Sequence, residues 1–333
     1  MSLNTQFTIR TVRNLLFTVV ISLIFSCTEQ NEKAYSFYYW RTNLSLTPKE
    51  KQVAEASTSP YIYVRFFDVD KTDTVFQPVA IITKDTSFNI NKKIVPVIYI
   101  TNKCFINVTQ QQIKFLAENV YALINKKTTE LQLNNSDEIQ IDCDWTKTTK
   151  DNYFTFLQEL QKISKQQITS TLRLHQVKHK TSTGVPPVKK VYLMCYATSS
   201  PLETNDKNSI LDIPTLKNYL NDVEKYPLQI DIALPVYSWA IVTNHVGKHK
   251  LINGVAEKDI KSSNFKQVNK NTFEVLNAGF YFNVYLSKGF MLQLEEISEQ
   301  QLSEAKTFLK NKIKNYNIVY YHLDERFIAQ RKF

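Results

Sequence analysis

The sequence predicts a single (β/α)8 barrel, a TIM barrel, with a small β-rich insertion after its seventh strand. Two observations carry this. Eight strand-like segments alternate with helix-like ones, and one interval, residues 244–297, breaks the alternation with short, closely spaced strands. An open doubly wound sheet is the competing arrangement for the same alternation. The 333 residues, 43% of them hydrophobic, supply a sizeable core and exclude a globally disordered chain. Only 5 Gly exclude collagen-like folds and those with several glycine fingerprints. Aromatic residues are in excess, with 18 Tyr, 20 Phe and 3 Trp. Such rings either fill a core or line a site that stacks flat ligands.

The elements follow in order. Phe37 to Arg41 reads as the first strand, and Thr47-Pro48-Lys49-Glu50 as a helix start with Pro in its first turn. Tyr61 to Phe67 is the second strand, ending in Asp68-Val69-Asp70, and Ile94 to Ile100 the third. Thr109 to Lys126 has Ile113, Leu116, Val120, Leu123 and Ile124 at helical spacing. Glu138 to Trp145 is the fourth strand, Asp151 to Ile163 a helix, Gln167 to Leu174 the fifth strand and Val191 to Tyr196 the sixth. A helix over Pro214 to Val223 leads to the seventh strand, Gln229 to Tyr237. Within the insertion, Phe280 to Leu286 and Phe290 to Leu294 read as a hairpin turning at Ser287-Lys288-Gly289. A helix from Ser298 to Lys314 and an eighth strand from Asn317 to Leu323 complete the pattern.

The N-terminus reads as an export address. Arg10 and Arg13 precede an apolar run from Leu15 to Phe25, and Ser26-Cys27 follows, with no acidic residue before Cys27. That run is short for a permanent membrane span and suits a secretory signal. Leu23 to Cys27 resembles a bacterial lipobox, which implies cleavage after residue 26, lipid acylation of Cys27 and a tether over 27–35, with the barrel occupying 36–333. Several acyl chains on one residue anchor far more firmly than one. The expected location is the bacterial envelope, held to a membrane by lipid.

The net charge is +10, from 41 Lys+Arg against 31 Asp+Glu. The lysines are scattered, in pairs at most (Lys126-Lys127, Lys189-Lys190), so the charge favours solubility or an anionic envelope surface over nucleic acid. Cys104, Cys143 and Cys195 lie in apolar runs without metal-ligand spacing and read as buried free thiols. Neither a metal nor a cofactor is expected.

Sites in such barrels sit where the strands end. Strand four supplies Gln140, Asp142 and Asp144 at alternate positions, so all three share a face, while Ile139, Ile141, Cys143 and Trp145 point to the helices. Crowded carboxylates raise one another's pKa, which suits proton transfer. Thr171, Arg173 and His175 share a face of strand five, and strand six brings Met194 and Tyr196. Strand seven brings Asp231 and Tyr237, with Trp239 at the rim. The eighth strand ends in His322-Leu323-Asp324-Glu325-Arg326, and the first two add Tyr39, Arg41, Asp68 and Asp70. Parity assigns Trp40 to packing. A structural ring of ion pairs is the competing reading, above all for Arg173 and Asp142. Asp142, Asp144 and His175 as metal ligands is a weaker one.

The run Ile139-Gln140-Ile141-Asp142-Cys143-Asp144-Trp145-Thr146 resembles the DxxDxDxE motif of the chitinase-like glycoside hydrolase family 18. Met194-Cys195-Tyr196 is similar to that family's sixth-strand M-x-Y-D, and Ala233-Leu234-Pro235-Val236-Tyr237 to its seventh-strand G-x-P-x-Y. The insertion also falls where many members have one, and the chain is similar to uncharacterised bacterial barrel lipoproteins. The resemblance implies that Asp144 orients an N-acetyl group of the substrate and that Tyr196 supports it. Three positions depart: Thr146 replaces the catalytic Glu, Ile139 the first Asp, and Ala197 the Asp after the strand-six tyrosine. A threonine cannot protonate a glycosidic oxygen at neutral pH. By the usual routes two carboxylates flank the bond, about 5 Å apart for retention or roughly 6.5–9.5 Å for inversion.

The resulting expectation is an envelope lipoprotein whose barrel acts on or binds a carbohydrate. The catalytic candidates are Asp142, Asp144 and Glu325. The substrate-binding candidates are Tyr39, Arg41, Asp68, Gln140, Arg173, His175, Tyr196, Tyr237 and Trp239. The alternative is a non-catalytic glycan-binding or envelope-assembly protein on a degenerate hydrolase scaffold.

Overall fold

Eight parallel strands pair in chain order and the last returns to the first, closing a barrel. They are β1 (Glu32–Tyr39), β2 (Tyr61–Thr72), β3 (Lys93–Ile100), β4 (Glu138–Asp142), β5 (Gln167–Arg173), β6 (Lys190–Met194), β7 (Gln229–Pro235) and β8 (Tyr316–Tyr321). The computed structural model describes residues 32–202 and 207–333; the expected leader and Cys27 lie outside them. Because β1 begins at Glu32, the end of the segment expected as a tether is barrel strand. Among the described residues no helix is long and apolar enough to cross a membrane.

Besides single turns at Lys180–Thr183 and Glu257–Ile260, the helices are α1 (Pro48–Ala56), α2 (Gln110–Glu130), α3 (Lys150–Ser164), α4 (Leu174–Lys178), α5 (Ile213–Tyr219), α6 (Glu299–Lys312) and α7 (Glu325–Ile328). Their starts follow from local chemistry. Thr47, Thr109 and Ser298 each accept the third helical N–H, while Glu50, Gln112 and Gln301 reach back to the cap. Thr47→Ala is expected to cost about 1 kcal/mol in urea denaturation, with Thr47→Ser near neutral. The outward parity of β4 holds, since Trp145 stacks on Tyr153 of α3 with centroids 5.1 Å apart. Only β2 lacks a following helix; it runs on into an antiparallel arm, Val75–Val79.

Two sequence expectations change here. Strand five stops at Arg173 and the chain turns into α4, so alternation does not govern His175. In the insertion, a left-handed turn at Phe282-Asn283 splits Phe280 to Leu286 into its own small hairpin. Met291–Glu295 instead pairs with Trp239–Thr243 and Thr272–Val275 inside a five-stranded antiparallel sheet. That sheet has its own core of Ala240, Val242, Ile252, Leu292 and neighbours, and it begins at Trp239, ahead of residue 244.

At the N-terminal end of the barrel, Lys190 Nζ lies 2.8 Å from Glu138 and 3.5 Å from Asp231. The Tyr192 hydroxyl donates to Glu138 at 2.7 Å and meets Tyr63 at 2.8 Å. This network closes the barrel floor, and Asp231 is fully buried in it. Cys104, Cys143 and Cys195 are buried and free.

Candidate functional site

A cleft of about 520 Å³ opens at the carboxyl ends of the strands. β4 delivers Asp142 and, just past its end, Asp144 to the same side, as alternation requires. Asp142 is buried and accepts a 2.7 Å hydrogen bond from Thr171. Burial, and then the neighbouring Asp144, push its carboxyl up to about 7, against the pull of Thr171. Asp144 is bound by both arms of Arg173, at 2.5 and 2.6 Å. That fork raises the already high guanidinium pKa further, so Arg173 stays charged.

A second forked pair faces the cleft from β2, where Arg65 grips Asp68. Residues three apart on a regular strand point to opposite faces. A bulge in the β2–β3 register between Arg65 and Phe67 resets the alternation and brings both to the mouth. Arg326 is forked onto Asp324 at 2.9 and 2.7 Å. The rest of the wall is largely aromatic. Tyr196 stacks on Tyr321 with centroids 5.3 Å apart, Tyr237 lies 5.3 Å from Trp239, and Trp40 lies 5.3 Å from Tyr321 beneath Arg65. Trp239 Nε1 donates to Glu295 at 2.8 Å, which fixes the indole at the rim. Tyr99 completes the wall, its hydroxyl pushed up to about 12 by burial and then by Asp144 and Asp142. His322 is driven down to about 4 by burial and is therefore neutral at pH 7.

Of the residues proposed from sequence, Asp68, Asp142, Asp144, Arg173, Tyr196, Tyr237 and Trp239 line this cleft. Others do not. Tyr39 points away from the barrel interior, with its hydroxyl against the Ser45 carbonyl and accepting from Arg41 Nε. Arg41 donates to Glu50 at 2.6 Å, and the Glu325 backbone N–H donates to the same carboxylate at 2.9 Å. Arg41 and Glu325 thus help build a clip around the buried Glu50 that ties α1 to α7, and the Glu325 side chain is exposed. Gln140 is fully buried in the barrel below the cleft. His175 lines a smaller side cavity reached past Asp144 and Arg173. Among the described residues no three His, Cys, Asp or Glu side chains converge as a metal site.

His322 and Arg326, named at the end of the eighth strand, line the cleft too, whereas sequence reasoning does not bring Trp40, Arg65, Tyr99 and Tyr321 to it. For Tyr99 and Tyr321 the signal was available, since both sit at or next to a strand end. Thr146, at the position of the family acid, is exposed outside the cleft, its hydroxyl bonded to Thr148 and Thr149 at 3.0 and 3.2 Å.

The closed parallel ring, with helices between its strands, a cleft at the strand ends and an extra sheet after β7, makes this chain a TIM barrel. Solved structures carry the same fold. The chain matches the spore cortex-lytic enzyme SleL of Bacillus cereus at 15% identity and a TM-score of 0.52, covering 87% of this chain and 70% of that one. It matches SleL of Bacillus megaterium at 14% identity and 0.52, covering 88% and 71%. The group IV chitinase of Ostrinia furnacalis matches at 8% identity and 0.50, covering 90% and 95%. At these identities the likeness is one of fold. No family model matches the chain, and no curated relative does.

Proposed function

We propose that this protein binds a saccharide in the cleft and does not hydrolyse it by the route its strand-four motif resembles. One observation carries the reading: aromatic rings from β3, β8 and the segments after β1, β6 and β7 surround forked Arg–carboxylate pairs in a single open cavity. Rings offer area to a pyranose face, and the fixed ion pairs offer donors and acceptors to its hydroxyls. The structures it is similar to, enzymes named for chitin or spore cortex, support a glycan as the ligand class. The exposure of Thr146 argues against the family's acid step.

Hydrolysis is the second reading, and the raised carboxyl of Asp142 favours it, because a general acid needs a pKa near the working pH. Calorimetry with N-acetylglucosamine oligomers, with product chromatography, separates the two. Saturable binding without cleavage is expected, weakened about tenfold or more in Trp239→Ala and in Tyr196→Ala. No binding across a glycan panel would refute the proposal, and cleavage abolished in Asp142→Asn would establish hydrolysis.

We also propose, from Arg10, Arg13, the apolar run and Ser26-Cys27, that the barrel is lipid-anchored in a bacterial envelope. Cys27→Ala should leave an unprocessed precursor or release the protein from membrane pellets. Unchanged, lipid-labelled mature protein would refute it.

A further inference from the structure

We propose that the saccharide carries an anionic substituent, and that this group is held in a basic cavity between α4 and α5. The proposal rests on the saccharide-binding reading and specifies the ligand class for it. Asp144, Arg173, Tyr196 and Ala197 line the main cleft and also a side cavity of about 200 Å³. Tyr219 in turn lines that side cavity and a third cavity, of about 360 Å³, which Lys178, Lys180 and Lys225 also line. The lysine cluster thus adjoins, across Tyr219, the side cavity that lies past Arg173.

In the third cavity, three ammonium groups share one carboxylate. Lys225 holds Asp222 at 2.5 Å. Lys178 donates to Asn218 Oδ1 at 3.1 Å and lies over the Tyr219 ring at 5.5 Å. Lys180 donates to the Lys225 carbonyl at 2.8 Å. Among the described residues neither Lys178 nor Lys180 has a carboxylate at ion-pair distance, and an ammonium carries three donors. The local field is positive: Asp222, although on the surface, is held below its usual value by Lys225 first, and by Lys312 and Lys180. Tyr219 offers a ring for a sugar face while the lysines serve as point charges for a carboxylate, sulfate or phosphate.

The test titrates the whole protein with an N-acetylglucosamine tetramer and with an alternating N-acetylglucosamine–glucuronate tetrasaccharide. At about 50 mM salt the acidic tetrasaccharide is expected to bind roughly tenfold tighter, an advantage that shrinks at about 300 mM. Lys178→Gln/Lys180→Gln should abolish the difference and leave the neutral tetramer unaffected. Equal affinities, or an advantage that survives the double substitution, would overturn the proposal. If neither tetrasaccharide binds, the saccharide reading fails and inorganic phosphate becomes the probe. Saturable NMR shifts at the Asn218 and Tyr219 amides, lost in the double variant, would keep the cavity as an anion site, and their absence would remove it.

Discussion

Lys190→Met is expected to lower unfolding stability by about 3–5 kcal/mol, the largest effect of any single substitution considered. Methionine keeps most of the side-chain volume, so the loss is electrostatic. Glu138 and Asp231 lie 2.8 and 3.5 Å from the ammonium, and Asp231 is fully buried. Removing the cation leaves two carboxylates facing each other with little water, and burial already raises the pKa of Asp231. The loss should therefore shrink in acid, where Asp231 takes a proton. Adding Glu138→Gln should restore at least about 1 kcal/mol, because the pair is coupled. Urea denaturation at pH 4 and pH 8 measures both effects. A loss independent of pH and not relieved in the double variant would mean the network contributes through packing alone.

Asp142→Asn is expected to stabilise the protein at pH 8 and to leave it unchanged at pH 4. In the folded chain the Asp142 carboxyl is raised from 3.8 to about 7, so it keeps its proton where the unfolded chain has released one. Between roughly pH 4 and pH 7 the unfolded state binds fewer protons, and stability falls as pH rises through that window. Above pH 7 the full cost is present, up to about 4 kcal/mol for a shift of this size. Asparagine carries no charge to desolvate and can still accept from Thr171. The check is a series of urea midpoints from pH 4 to pH 8 for both proteins. Parallel curves would show that Asp142 does not titrate in this range. Natural chains keep such costs where function requires them, and the residue sits in the wall of the proposed saccharide cleft.

The sites legible in the sequence were those where strand alternation continues to the mouth. Asp142 and Asp144 share a side because they are two apart across the end of β4, and Tyr196 and Tyr237 reach the same cleft two residues past the ends of β6 and β7. Parity counted from Tyr39 assigns Trp40 to packing, but in the structure Tyr38 and Trp40 share the inner face and Tyr39 points outward, so the faces of the first strand are the reverse of that reading. Arg65 was missed because a bulge resets the faces of β2. Arg41 and Glu325 carry the right chemistry but meet at Glu50, across 275 residues of chain in the case of Glu325.

By itself the sequence determined the order of strands and helices, the capped helix starts, the inward face of β4 and the place of the insertion. Each of these follows from the local geometry of a repeating backbone, which neighbouring residues specify together. Only the tertiary structure decided which charges are already matched, that Thr146 stands outside the cleft, and that Tyr99, Trp40 and Tyr321 complete its wall. Those facts depend on where strands stop and on how the closed ring brings distant segments together, and neither is written in any local period.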